Sequence, residues 1–240
     1  MKQETQRAIR ELKKYEDKEK KVILQRFFKT GIGEYGEGDV FLGVTVPKTR
    51  SVAKQFKGLI LKDIQELLLN KHHEVRLMGL LILVEKYEET KKKSNEKETK
   101  RIVDFYVKNL KKANNWDLID LSCYKILGDY LVDKERRILY ELIKSKNLWE
   151  RRAGIVSTLA LIKKGELDDA FELSKRLLKD EEELIHKATG WVLREAGKKD
   201  EARLETFLEE NTKNVPRVTL RYAIERFPEK ERKKFLKKTV

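Results

Sequence analysis

The chain has 240 residues, 40% of them charged, and a formal net charge of +14 at pH 7. That length suits one large domain or one extended repeat array. The surplus of one sign implies an anionic partner, of which nucleic acid is the commonest. A charge-rich surface of the thermophile kind would explain the many Lys/Glu pairs but not the excess of Lys and Arg. One cysteine, Cys123, excludes an internal disulfide. The charged N-terminus has no apolar signal-peptide core, and no apolar run reaches membrane-spanning length. These features predict a cytoplasmic protein with no membrane association.

In chain order, apolar residues recur at three- and four-residue steps, as at Leu59, Leu61, Ile64, Leu67 and Leu68 and again at Ile102, Phe105, Tyr106 and Leu110. No sustained alternation of period two appears, so the chain reads as nearly all α. Breaks are expected at 31–43, 71–73, 91–95, 113–115, 145–147, 164–165, 197–200 and 214–216. Helices mostly 12 to 18 residues long are expected between them.

A faint repeat accompanies these breaks. A basic residue ahead of an apolar run occurs at Arg76, Arg152, Lys187 and Arg217, and Trp116 falls between the first two, giving steps of about 40, 36, 35 and 30 residues. The period predicts a right-handed α-solenoid of HEAT-like repeats with a concave basic groove. It would be a single repeat domain over 1–240, with an N-terminal helical region and glycine loop over 1–45 and repeats over 46–240. A plain helical bundle with coincidental spacing is the alternative.

Some motifs lead nowhere. Gly31-Ile-Gly-Glu-Tyr-Gly36 fits G-x-G-x-x-G, but an amphipathic helix precedes it and Glu34 and Glu37 would repel a pyrophosphate. A flexible glycine loop is the expectation. His72, His73 and His186 lack metal-ligand spacing and read as structural or surface residues. Cys123, beside Leu121 and Ile126, reads as a small buried thiol.

Aromatic, acidic and basic residues combine elsewhere. Trp116 and Asp120 share one helix face, whereas Asp117 lies on another and suits the helix N-terminus. Lys187, Trp191 and Arg194 share a face in a second helix, and Arg151 and Arg152 open a third. In a basic groove, Arg and Lys would hold phosphates and tryptophans would press on sugars or bases. An acidic residue in such a groove repels phosphate, which makes it a candidate catalytic carboxylate. Core tryptophans and a capping aspartate are the other reading of the same spacing.

Asp39-Val-Phe-Leu-Gly-Val-Thr-Val-Pro-Lys-Thr-Arg50, Asn115-Trp-Asp-Leu-Ile-Asp120, Asn147-Leu-Trp-Glu-Arg-Arg-Ala153, Lys187-Ala-Thr-Gly-Trp-Val-Leu-Arg-Glu195 and Pro216-Arg-Val-Thr-Leu-Arg-Tyr-Ala-Ile-Glu225 resemble the AlkD family of DNA alkylation repair glycosylases, in order and over nearly the whole chain. The resemblance implies HEAT-like repeats and excision of cationic alkylated purines, such as 3-methyladenine and 7-methylguanine, from double-stranded DNA. It implies no metal or organic cofactor, and a lesion that stays stacked. Residue by residue, Asp120 matches the catalytic carboxylate, Trp116 and Trp191 the two groove tryptophans, and Arg152 and Arg194 the basic residues that hold the backbone. Arg151, Lys187 and Arg217 are added as further DNA-binding candidates. The protein is expected to act as a monomer. A non-catalytic DNA-binding repeat protein and a protein-interaction scaffold are the competing functions.

Overall fold

In a computed structural model, residues 2–238 are described. They are all α: fourteen α-helices, one 3-10 turn and one π-helical turn, with no strand among the described residues. An isolated parallel bridge pairs Val40 with His72. No described helix is long and apolar enough to cross a membrane. The chain divides into two compact units, 1–122 and 123–240.

The first unit contains α1 (Lys2–Lys13), α2 (Lys18–Phe27), α3 (Val46–Gln55), α4 (Leu61–Leu68), α5 (His73–Lys92), α6 (Glu96–Lys108), the 3-10 turn Leu110–Lys112 and α7 (Trp116–Asp120). Helix α5 is its centre. Every residue from His73 to Val84 is buried, and α3, α4 and α6 pack around it. Its apolar residues therefore surround it instead of forming a stripe. Helices α4 and α6 are amphipathic and cover it with one face each.

The second unit contains the π-helical turn Tyr124–Gly128, α8 (Arg137–Leu142), α9 (Leu148–Lys163), α10 (Asp168–Leu177), α11 (Glu183–Gly197), α12 (Glu201–Glu210), α13 (Arg217–Ala223) and α14 (Glu229–Lys238). Helix α9 is the counterpart of α5, buried continuously from Arg152 to Ile162. It packs on α11, and α11 packs closely on α13. A Cβ on Gly190 would lie 2.6 Å from the Thr219 carbonyl oxygen, so the glycine of the Gly-Trp-Val-Leu-Arg-Glu string sets how near α13 approaches α11.

The eight expected breaks all coincide with connections between helices. The expected helix lengths do not hold: α2, α3, α4, α7, α8, α10, α12, α13 and α14 have five to ten residues. Further turns occur near 14–17, 56–60, 129–136, 178–182 and 224–228. Most lie in charged or apolar sequence and are decided by packing and capping. Asp17, for example, accepts from the backbone N–H groups of Glu19 and Lys20 and so starts α2.

Two helices open with the same arginine contact, in a register one residue off the expected one. Arg76 donates to the carbonyls of Asn70 and Lys71, six and five residues earlier. Arg151, not Arg152, repeats this by donating to the carbonyls of Ser145 and Lys146. Each guanidinium satisfies carbonyls of the preceding connection and pairs with an aspartate from elsewhere, Asp39 or Asp180.

Candidate functional site

Helix α7 is one and a half turns long and could not persist by propensity alone. It is fastened by a buried ionic cluster. Asn115 is its N-cap: the side-chain oxygen accepts from the Trp116 backbone N–H at 2.8 Å, and the amide nitrogen donates to Asp39 at 3.4 Å. Asp117 accepts from the Leu118 N–H at 2.8 Å and meets His73 Nε2 at 2.9 Å. His73 Nδ1 meets Asp39 at 2.9 Å, and Asp39 also pairs with Arg76. Two carboxylates thus face an imidazole and a guanidinium, all buried.

Burial alone would favour the neutral imidazole, but Asp117 and Asp39 outweigh it and raise the His73 pKa to about 9. Burial would likewise raise the Asp39 pKa, but His73 and Arg76 outweigh it and hold the group below its ordinary value. At neutral pH His73 is therefore protonated and Asp39 ionised. Beside them, the buried Glu74 carboxylate accepts from the backbone N–H groups of Leu42, Gly43 and Val44 at 2.8, 2.8 and 3.2 Å. This satisfies an irregular segment that no helix or sheet ladder serves. The segment 39–44 and the start of α5 are therefore joined at several points, through Asp39 to His73 and Arg76, through the His73 N–H to the Val40 carbonyl, and through Glu74.

On this base stands Trp116. Its ring stacks on Phe28 at 5.2 Å, meets Phe27 edge-on at 5.9 Å, and donates from the indole N–H to the Tyr35 hydroxyl at 3.3 Å. Phe28 continues the stack to Phe41 and His73. The indole is half-buried, so one part of it remains open. Asp120 is the last residue of α7, one turn beyond Trp116, and is also half-buried. Capping belongs to Asn115 and the internal ion pair to Asp117. Asp120 stands at the C-terminal end of the helix, where a carboxylate gains nothing from the helix dipole.

The other candidates lie in the second unit. Trp191 is half-buried on α11. Arg194, one turn on, pairs with Glu195 and Glu225, and Lys187 pairs with Glu183. Arg217 is exposed at the start of α13 and donates to the Leu236 carbonyl. Arg152 is 5% exposed and donates to the Leu184 carbonyl. Arg151 holds Asp180 through two nitrogens, with both side chains largely covered. The last two therefore brace the start of α9, a structural task that basic residues in a DNA-binding pattern do not announce.

Sequence reasoning read His73 as structural or surface and Arg76 as a repeat anchor, and gave no role to Asp39, Glu74 or Tyr35; the partners of all five lie some 30 to 80 residues away in the chain. The Asp39-to-Arg50 string and Asn115–Trp–Asp117 were singled out, and Asp39 and Asp117 are where the two strings meet His73. Cys123 is buried, as expected. Among the described residues, Glu201, Glu205 and Glu231 bring carboxylate oxygens within 4.8 Å of one another, and nothing else there points to a cation.

The all-helical fold is shared with a solved structure, "Predicted DNA alkylation repair enzyme from Enterococcus faecalis", at a TM-score of 0.66 and 16% identity, over 89% of this chain and 97% of that one. A search of curated proteins gave no match. The family model for DNA alkylation repair enzymes matches residues 8–227. The chain belongs to the DNA alkylation repair enzyme family.

Proposed function

We propose that the protein is a monofunctional DNA glycosylase, active as a monomer in the cytoplasm, that hydrolyses the N-glycosidic bond of cationic alkylated purines in duplex DNA. The observation that carries this is the pairing on α7. A stacked, half-open Trp116 and a half-buried carboxylate, Asp120, lie one turn apart on a short helix held by a buried ionic cluster, in a chain of net charge +14.

An alkylated purine with fixed positive charge is already a good leaving group. As the bond from C1′ to the base nitrogen breaks, its electron pair goes to the base and cancels the base's charge, leaving the sugar cationic. Water then adds at C1′ and loses a proton to Asp120 or to solvent. A carboxylate about 4 Å from the sugar stabilises that charge by roughly 4 kcal/mol at an effective dielectric near 20. This corresponds to roughly a thousandfold in rate, to the extent that the gain grows toward the transition state. The Trp116 ring presses on the nucleotide and excludes water, which strengthens the charge interaction. Trp191 of the second unit is assigned an aromatic contact of the same kind. Lys187 and Arg217 are open enough to meet phosphates, whereas Arg194, held by Glu195 and Glu225, and the largely covered Arg151 and Arg152 contribute positive charge. The chemistry needs neither metal nor organic cofactor.

The test is release of 7-methylguanine from methylated duplex DNA by wild-type protein and by Asp120→Asn. Release by the wild type alone, with equal or tighter DNA binding by the variant, supports the assignment. Binding without release by either protein would instead support a non-catalytic DNA-binding repeat protein.

A further inference from the structure

The turn after α2 is tied, not the flexible loop its glycines suggest. Glu34 accepts from the Gly31 N–H and Glu37 from the Gly33 N–H, both at 2.9 Å, and the Gly36 N–H donates to the Lys29 carbonyl at 3.0 Å. A Cβ on Gly36 would lie 2.3 Å from the Phe28 carbonyl oxygen, so glycine there lets the turn close against the end of α2. The Tyr35 hydroxyl donates to the Phe27 carbonyl at 3.3 Å and makes a second tie.

This built turn carries Ile32, which is 96% exposed. Helix α2 buries none of its residues. Ile23 and Phe27, on one face of it, are 63% and 61% exposed, and Phe27 is the residue that meets the Trp116 ring edge-on. Apolar side chains held in the open by a hydrogen-bonded scaffold, adjoining a candidate site, mark a binding surface.

The charge around them selects the occupant. Residues 18–29 contain Lys18, Lys20, Lys21, Arg26 and Lys29 against a single acid, Glu19. The Glu34 and Glu37 carboxylates are engaged by N–H groups of their own turn. A surface with apolar side chains among cations complements a duplex, whose phosphates are anionic and whose sugar faces are apolar. We propose that Ile23, Phe27 and Ile32 seat against a groove of duplex DNA beside the nucleotide that Trp116 touches, while Arg26 and Lys29 take phosphates. This rests on the reading above that the protein works on duplex DNA.

The experiment measures duplex affinity across a salt series, with undamaged and 7-methylguanine-containing DNA, for wild type, Ile23→Ser, Ile32→Ser and Arg26→Ala/Lys29→Ala. Both isoleucines are exposed, and a melting curve confirms that their variants fold. Each isoleucine variant is expected to bind roughly tenfold more weakly, as loss of a buried apolar contact predicts, with the salt dependence unchanged. The basic double variant is expected to lower the slope of log K against log salt by about 0.9 for each side chain removed. Isoleucine variants that bind like wild type overturn the proposal. So does sedimentation showing a wild-type dimer that Ile32→Ser dissolves, because the surface would then join two copies of the chain. Duplex binding that depends on Ile32 without any base release would leave this surface standing and sink the glycosylase reading. Base release unaffected by the isoleucine changes would do the reverse.

Discussion

His73 Nε2 lies 2.9 Å from the Asp117 carboxylate, a contact across 44 residues of sequence that ties the first turn of α5 to α7. Through it, a buried charge in the core of the first unit sets where Trp116 and Asp120 stand. Removing one member of such a pair leaves an uncompensated buried charge. His73→Gln is therefore expected to lose about 3 to 5 kcal/mol in urea unfolding. Base release by the variant should fall even under conditions where it remains folded.

The same pair makes stability depend on pH. The His73 pKa is raised from an ordinary 6.5 to about 9 in the folded protein. Its contribution is therefore full below pH 6.5 and is lost as pH rises through about 9. It is on the order of 3 kcal/mol. Asp39 is lowered, so its contribution is lost at the acid end, as pH falls through its depressed value. Unfolding free energies measured from pH 5 to 10 should decline in the alkaline half of that range. The His73→Gln variant should show a much flatter alkaline limb, and an unchanged limb would refute the charged imidazole.

Glu74 serves three backbone N–H groups with one carboxylate. Glu74→Gln retains one acceptor oxygen but loses the charge and part of the fork. About 2 kcal/mol of stability should be lost, read as a lower denaturation midpoint at unchanged slope. Little effect would mean that the 42–44 segment finds its partners elsewhere.

Arg151 and Arg217 separate bracing from binding. Arg151 is locked to Asp180, whereas Arg217 is exposed. Arg151→Ala is expected to destabilise the protein by roughly 2 to 4 kcal/mol and to leave the salt dependence of DNA binding nearly unchanged. Arg217→Ala should do the opposite, with little change in melting and a salt slope lower by about 0.9. Fluorescence anisotropy over a salt series, beside melting curves, decides both.

Gly190 is the packing glycine of α11. Gly190→Ala would drive a Cβ to 2.5 Å from the Tyr222 Cβ and 2.6 Å from the Thr219 carbonyl. Overpacking of this kind typically costs about 1 to 3 kcal/mol. Because α11 also carries Trp191 and Arg194, DNA affinity should drop with stability, and a variant as stable as wild type would show that α13 yields easily.

Much was written in the sequence. Three- and four-residue apolar spacing settles helix against strand because it depends only on local geometry. Glycine, proline and asparagine mark the connections because they act within a few residues. The Asn115-to-Asp120 string already places Trp116 and Asp120 one turn apart. Tertiary structure alone decided which polar residues hold α7 in place. His73 has no spacing that announces Asp39 and Asp117 as its partners, and Arg151 looks no different from a phosphate ligand until Asp180 is beside it. Whether a charge is buried and paired depends on residues brought together from distant parts of the chain, and no local pattern encodes that.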